Sequence, residues 1–120
     1  MNLNIVELKP FVPAKDFQTS IRFYEALGFT KRSEGDGVAY FLFGNTSFLL
    51  QDFYQKDLAE NYMLHFLVEN VDDWNQKVLE LGLDQTFDVK ITSLVVQPWR
   101  MKEFCITDPS GVLLRFAQNV

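Results

Sequence analysis

Apolar residues recur along the chain with two spacings, and each spacing predicts one kind of element. The helical spacing covers residues 17–27, where four apolar side chains fall on one stripe: Phe17, Ile21, Tyr24 and Leu27. Asp16 precedes this stripe and can cap the helix, and the letters LG end it. A second stripe follows a cap at Asp72 or Asp73, also ends in LG, and consists of Trp74, Val78 and Leu81. We therefore predict one amphipathic helix in each half of the chain.

Shorter apolar runs between turn-forming residues predict strands. In chain order, the predicted strands are residues 5–14, 29–33, 38–43, 47–53, 63–68, 91–97, 102–107 and 112–117. Pro10 and Pro13 interrupt the first run, and because proline cannot donate to a strand ladder, we expect this strand to lie at an edge or to end early. Residues 54–61 are polar and are predicted to be a linker, and residues 83–90 are predicted to be a loop.

The two halves of the chain repeat the same order of elements: a strand, a helix ending in Leu-Gly, and then further strands. Module 1 covers about residues 1–53 and module 2 about residues 62–120, with the linker between them. A half of about 55–60 residues buries too little surface to fold alone, so we expect the modules to pair in a single domain. The predicted class is α+β: two βαβββ modules forming a curved mixed sheet around a cleft, with the helices on the convex face. Whether the modules pair within one chain or exchange between chains stays open.

The composition narrows the choice of partners. The formal net charge is −5, and such a surface repels phosphate groups, so we expect no nucleic-acid partner. The same charge favours a cationic small molecule or simply keeps the protein soluble, and both explanations stay open. Twelve phenylalanines indicate either a Phe-rich core or an aromatic-lined cavity.

Cysteine content and the length of the apolar runs indicate the compartment. The single cysteine, Cys105, excludes an internal disulfide framework and a multi-cysteine zinc site. No run approaches the roughly 18 apolar residues that a membrane helix needs, and the opening residues MNLNIVELKP do not resemble a signal peptide. We therefore expect a cytoplasmic protein that does not bind a membrane.

Three segments, KDFQTSIRFYEALGF (15–29), HFLVENVDDW (65–74) and KEFCITDPSGVLLRF (102–116), resemble the vicinal oxygen chelate superfamily. This superfamily includes glyoxalase I, extradiol dioxygenases, and fosfomycin and bleomycin resistance proteins. The resemblance covers nearly the whole chain and is strongest to the bleomycin resistance branch, in KPFVPAKD, FYEALGF and KEFCITDPSG. It implies antibiotic resistance by sequestration of a drug without chemistry, in a homodimer whose crevice between the two subunits holds the drug.

The resemblance also implies where the metal-using enzymes of the superfamily hold a divalent ion on four strands. Those positions fall on Lys9, on about Leu50, on His65 and on Arg115. Arginine is permanently protonated, lysine is charged at neutral pH, and leucine has no donor atom, so only His65 could bind a metal. Because one histidine does not make a metal site, we expect no metal and no other cofactor, and the resemblance favours a binding protein over an enzyme.

The two-residue period of a strand predicts which side chains line the cleft. Phe11 shares a face with Lys9, Phe48 with Leu50, and Leu67 with His65. Phe66, Leu114 and Phe116 then point toward the helices, and either Tyr40 with Leu42 or Phe41 with Phe43 faces the cleft. The predicted ligand-binding residues are Lys9, Phe11, Phe48, Leu50, His65, Leu67, Trp99 and Arg115.

Two of these residues have alternative roles that the sequence leaves open. Trp99 is either a plate on which a ligand stacks at the mouth of the cleft or a lid over the protein's own core. Arg115 either pairs with a carboxylate such as Glu103 on the adjacent strand or binds an anionic group of a ligand.

The function that these predictions favour is metal-independent binding and sequestration of a small, partly aromatic molecule, by resemblance a bleomycin-type antibiotic. One alternative is a metal-dependent glyoxalase-like lyase or dioxygenase, in which His65 would need carboxylates such as Glu7 or Glu103 as further ligands. Another is a regulatory or scaffolding domain whose cleft is filled by its own Phe and Leu side chains.

Overall fold

The nine strands form two separate mixed sheets, one from each half of the chain, in a computed structural model that describes all 120 residues. The first half contains β1 (Phe11–Pro13), α1 (Phe17–Leu27), β2 (Thr30–Gly35), β3 (Val38–Phe43) and β4 (Thr46–Gln51). Between the halves lies α2 (Lys56–Ala59). The second half contains β5 (Met63–Leu67), α3 (Val71–Leu81), α4 (Leu83–Thr86), β6 (Lys90–Ile91), β7 (Val95–Gln97), β8 (Met101–Thr107) and β9 (Leu113–Asn119).

Both sheets have the same arrangement of strands. The first has the order β1-β4-β3-β2, with β1 parallel to β4 and the other pairs antiparallel. The second has the order β5-β9-β8-β6, with β5 parallel to β9, and β7 also pairs with β8. The first strand of each half thus lies beside its last strand, and the predicted α+β class is confirmed.

The strand predicted over residues 91–97 is instead two short strands, β6 and β7, on the same edge of β8. Between them, Thr92 Oγ1 accepts the hydrogen bond of the Cys105 N–H at 2.8 Å, in place of a backbone carbonyl. This side-chain acceptor interrupts the ladder, which explains the break in the strand.

The two long helices begin at side-chain caps and end at left-handed glycines. Asp16 caps α1 as predicted, accepting the Thr19 N–H, and Gly28 ends the helix with φ 117°. The cap of α3 is Asn70, which accepts the Asp73 N–H, so the prediction of Asp72 or Asp73 was wrong. The buried Val71 belongs to the apolar stripe and starts the helix earlier.

No helix is long and apolar enough to cross a membrane.

The N-terminal segment differs most from the sequence prediction. A strand was predicted over residues 5–14, but only Phe11–Pro13 are in a strand, and residues 1–10 have no regular structure. The apolar side chains of this segment are largely exposed: Met1, Leu3, Ile5, Val6 and Leu8. β1 joins β4 only from Pro10 onward, where the Pro10 carbonyl accepts the Leu49 N–H. Residues 5–9 therefore have no partner strand in the same chain. Single helical turns, α2 and α4, also occupy parts of the predicted linker and loop.

The core lies between the helices and the sheets and is rich in phenylalanine. Its fully buried aromatic side chains are Phe23, Tyr24, Phe41, Phe48, Phe104 and Phe116. Phe41 stacks on Phe48, and Phe116 stacks on both Phe66 and Phe104. The high phenylalanine content therefore serves mainly the core. Because Phe41 is buried, Tyr40 and Leu42 are the β3 residues that face away from the helices, which answers the choice left open above.

The two halves are joined within one chain by a buried polar junction at the DPSG turn, residues 108–111. The Tyr24 hydroxyl of α1 donates a 2.6 Å hydrogen bond to Asp108 Oδ2. Asp108 Oδ1 accepts the N–H groups of Ser110 and Val112. Ser110 Oγ accepts the Lys15 N–H at 2.8 Å. The modules therefore pair within the chain, and the turn that resembles the family motif is also the contact between them.

We expect Tyr24→Phe to lower the free energy of unfolding by about 1–3 kcal/mol near neutral pH, because it leaves a buried carboxylate oxygen without its donor. Burial raises the pKa of Asp108, and the Tyr24 hydrogen bond opposes that rise, so its loss moves this pKa further up. A group whose pKa is raised on folding contributes stability that is present below its unfolded pKa and lost as the pH rises through its folded pKa. The loss should therefore be larger at pH 7 than at pH 4, measured by urea denaturation.

The matched control is Tyr54→Phe, which removes the hydroxyl of a partly exposed tyrosine. This variant should keep the stability of the parent protein at both pH values. A destabilisation of Tyr24→Phe that does not depend on pH would contradict the role assigned to Asp108.

Candidate ligand-binding site

Two cavities are candidates for a ligand-binding site, one between the halves and one on the second sheet. The larger, about 680 Å³, lies between the halves and has an aromatic wall of Phe29, Phe43, Phe48, Phe66, Trp74 and Phe116. The smaller, about 400 Å³, lies on the second sheet and includes Trp99, Glu103 and Arg115 in its wall. We call the sheet face that points away from the helices the open face, and the smaller cavity lies on the open face of the second sheet.

β5 presents His65 on this open face. Its side chains alternate, so that Met63, His65 and Leu67 are exposed while Leu64 and Phe66 pack toward the core. The prediction that Phe66 points toward the helices is confirmed by its stacking on Phe116. His65 and Leu67 also line the larger cavity, whereas no residue of β5 lines the smaller one.

Arg115 lies at the centre of the second sheet's open face and is paired with Glu103. Arg115 Nη2 is 2.6 Å from Glu103 Oε1, and Glu103 is only 3% exposed. Leu114 and Phe116, on either side of Arg115 in β9, are fully buried on the opposite face, as predicted. The pairing with Glu103, one of the two roles left open for Arg115, is therefore the one that the structure shows.

The register of the strands explains how a buried ion pair fits into this sheet. Cys105 lies opposite Arg115, and Ala117 lies opposite Glu103. The small side chain of Ala117 leaves room for the long Arg115 side chain to reach diagonally across to Glu103. Burial raises the pKa of the neighbouring Cys105 thiol, although the positive charge of Arg115 opposes this rise.

The pairing leaves one polar atom on each partner without a hydrogen bond to the protein. These atoms are Glu103 Oε2 and Arg115 Nε, and both are shielded from solvent by the surrounding side chains. The contact is thus single rather than the two-bond geometry that arginine and carboxylate usually adopt.

Trp99 lies beside this pair, at the tip of the hairpin between β7 and β8. Its ring centroid is 5.8 Å from the Arg115 guanidinium carbon, and its side chain is 54% exposed. Arg100, the next residue, has a positive φ of 62°, which a tight turn requires. Trp99 is not part of the core cluster, and its role as a plate for a ligand stays a prediction.

Lys9 and Phe11 lie on the open face of the other sheet. Lys9 Nζ is 4.6 Å from the Tyr40 ring centroid, and Phe11, which is 51% exposed, lies in register with Leu49. Glu7 accepts hydrogen bonds from the Ser47 and Tyr40 hydroxyls. Both bonds lower the pKa of Glu7, and the bond from Ser47 has the larger effect. Lys9 and Phe11 are therefore on a different sheet from Trp99 and Arg115.

The predicted facing of Phe48 and Leu50 was wrong. Both are buried in the core on the helix side of β4, where Leu50 lies opposite Ala39 and Phe48 opposite Phe41. Phe48 still borders the larger cavity, but Leu50 reaches neither cavity. The polar residues Ser47 and Gln51 alternate with this pair, and that alternation was the signal in the sequence for the correct face.

The four positions that the resemblance assigns to metal ligands do not fit a divalent ion. Leu50 is in the core, Lys9 is on the first sheet, and Arg115 is held by Glu103. No three histidine, cysteine, aspartate or glutamate side chains of the chain lie close enough together to hold a metal ion. Glu7 and Glu103, the carboxylates considered for a metal enzyme, instead accept hydrogen bonds from Tyr40, Ser47 and Arg115.

Several solved structures have the same fold. A bleomycin-binding protein complexed with bleomycin is 22% identical, with a TM-score of 0.82 over 97% of this chain and 100% of that one. A bleomycin-binding protein from Streptomyces verticillus, complexed with copper(II)-bleomycin, is 18% identical, with a TM-score of 0.81 over 99% and 100% of the two chains. TnmS3, an antibiotic binding protein from Streptomyces sp. CB03234, is 20% identical, with a TM-score of 0.77 over the full length of both chains. At these identities the likeness shows the fold.

Sequence comparison identifies the family. The sequences of curated proteins contain no match to this chain. The model of one protein family, described as the Glyoxalase/Bleomycin resistance protein/Dioxygenase superfamily, matches residues 4–116, which is nearly the whole chain. This protein therefore belongs to the glyoxalase/bleomycin resistance protein/dioxygenase superfamily.

Proposed function

We propose that the protein binds and sequesters a small, partly aromatic molecule of the bleomycin type, without a metal of its own and without chemistry. The observation that carries this proposal is the Arg115–Glu103 pair, which stands where the superfamily resemblance implies a metal-binding acid. A guanidinium at this position repels a cation, and its carboxylate partner is already engaged. Beside the pair, the half-exposed Trp99 side chain presents an aromatic face on which a ligand can stack.

The shape of the surface supports binding of an organic molecule. The two cavities, about 680 and 400 Å³, lie within the roughly 300–1,000 Å³ that small-molecule sites usually occupy. The ligand-binding residues that we propose on the open faces are Lys9, Phe11, His65, Leu67, Trp99 and Arg115. Three of the six are apolar, two of them aromatic, and three are polar or charged, so this surface suits a planar or aromatic ligand that also carries polar groups.

The relatives support the choice of an antibiotic. Two of the structures with the same fold are bleomycin-binding proteins in complex with bleomycin or its copper(II) form, and a third is an antibiotic binding protein. The net charge of −5 suits a cationic drug, because it favours the approach of positive charge.

The proposed assembly is a homodimer with the ligand between the subunits. The open faces of the two sheets carry different halves of the proposed binding surface, and the N-terminal segment exposes a series of apolar side chains: Leu3, Ile5, Val6 and Leu8. A second copy that covers these side chains would remove apolar surface from water, and each such side chain contributes about 1.5–3 kcal/mol when fully buried.

We expect metal-free bleomycin to change the tryptophan fluorescence in a saturable manner, and Trp99→Ala to weaken this binding at least about tenfold, because the variant removes the stacking plate. Fluorescence titration of the parent protein in the presence of a chelator checks the first point, and isothermal titration calorimetry of both proteins under the same conditions checks the second, because the variant lacks the Trp99 signal. Phe53→Ala is the matched control, since Phe53 is a similarly exposed aromatic residue that borders neither cavity.

Binding that requires added zinc or nickel would contradict the metal-free proposal. Equal affinity of the parent protein and Trp99→Ala would contradict the site. Absence of any response to bleomycin would contradict the choice of ligand.

We expect Ile5→Asp to shift the protein from dimer to monomer, because it places a charge in the apolar segment that the second copy would cover. Analytical ultracentrifugation should give twice the chain mass of 14.0 kDa for the parent protein and the chain mass for the variant. Leu79→Asp, which alters an exposed leucine of α3, is the control and should remain dimeric. A monomeric parent protein, or a dimeric Ile5→Asp variant, would contradict the proposed assembly.

A further inference from the structure

The two atoms that the Arg115–Glu103 pair leaves without a protein partner are one acceptor and one donor. Glu103 Oε2 can only accept a hydrogen bond, and Arg115 Nε can only donate one. Glu103 is 3% exposed, so its second oxygen has been removed from water without receiving a partner in exchange. A buried polar atom in this state destabilises the protein unless something else satisfies it.

Both residues line the smaller cavity, and the rest of its wall favours a planar group. Trp99 contributes an aromatic face above the guanidinium, while Val95 and Leu113 contribute apolar surface. Trp99 lies in a hairpin turn and is half exposed, so its side chain can change rotamer without disturbing the core. The cavity is the side from which a ligand would reach the two atoms.

The charge of the pair decides what kind of planar group fits. Arg115 and Glu103 neutralise each other, so the pair attracts neither ion strongly. A cation would satisfy Glu103 Oε2 but would be repelled by Arg115 and could not accept from its Nε–H. An anion would accept from Arg115 but would be repelled by Glu103. A neutral group with both an N–H donor and a C=O acceptor satisfies both atoms.

We propose that the cavity at Trp99, Glu103 and Arg115 binds a neutral planar carboxamide of the ligand, whose N–H donates to Glu103 Oε2 and whose C=O accepts from Arg115 Nε. This inference deepens the proposed sequestration function and rests on it for the nature of the whole ligand. It assigns to Glu103 the role of a specificity-determining residue, in addition to that of a partner for Arg115.

The test uses three probes of nearly the same shape that differ in hydrogen-bonding pattern: benzamide, the cation benzamidine and the anion benzoate. The uniformly ¹⁵N-labelled full-length protein is titrated with each, and the arginine Nε–H and tryptophan indole N–H signals are followed by NMR. We expect benzamide to shift the Arg115 and Trp99 signals in a saturable manner, and the two ions to bind at least about tenfold more weakly, as for the loss of one good hydrogen bond to a charged group.

Glu103→Gln tests the acceptor, because an amide Nε2 replaces one carboxylate oxygen and the second acceptor is lost. We expect this variant to bind benzamide about tenfold more weakly, while the indole signal of Trp74, which packs against the core, reports that the fold is kept. Trp99→Leu should weaken benzamide binding as well and alters only a half-exposed side chain. Phe53→Leu is the matched control and should bind benzamide like the parent protein.

Equal affinities for the three probes, or unchanged benzamide affinity in Glu103→Gln, would overturn the carboxamide assignment. A bleomycin titration of the same samples separates this result from the proposed function. Bleomycin binding without benzamide selectivity would sink the carboxamide site and leave sequestration standing. Selective benzamide binding without bleomycin binding would support the site and reject the drug.

Discussion

The buried contact between Tyr24 and Asp108 fixes the relative position of the two halves of the molecule. It joins α1 of the first module to the DPSG turn of the second, and Ser110 in the same turn binds the backbone just before α1. Because the backbone N–H groups of Ser110 and Val112 also point at Asp108, the turn has few other conformations that satisfy this carboxylate. Each module forms its own sheet, so the geometry of the cavity between them depends on this polar junction as well as on the aromatic core around it.

The ion pair between Arg115 and Glu103 has the opposite character. It contributes little to joining elements, since β8 and β9 are already paired along their length. Burying the charge of Glu103 beside a partly exposed Arg115 is costly, and a single hydrogen bond at 2.6 Å with two unsatisfied atoms recovers only part of that cost. A site that retains such a pair beside an exposed tryptophan has polar groups ready for a ligand, and this is the physical basis of the function proposed above.

The two long helices and the order of the main elements along the chain could be predicted from the sequence because their signals are local. α1 was predicted with the bounds that the structure has, and the alternation of Leu114, Arg115 and Phe116 gave the correct faces of β9. The facing of β4 failed because it was taken from a position in a remote family rather than from the alternation of Ser47, Phe48, Leu49 and Leu50. The first strand failed for a different reason: its apolar pattern suits a strand, but no neighbouring strand of the same chain pairs with residues 5–9. The pairing of Arg115 with Glu103 depended on the register of β8 and β9, which a single sequence does not determine, and it therefore had to be left as one of two alternatives.

We propose that this member of the superfamily holds an organic ligand directly, between two copies of the chain and without a metal. Native mass spectrometry of the protein incubated with metal-free bleomycin tests the three parts together, because one spectrum reports the number of chains, the metal content and the bound ligand. From this proposal we expect a species with twice the chain mass of 14.0 kDa plus the mass of bound bleomycin and no added metal mass. A species that retains one metal ion per chain and no bleomycin would contradict it.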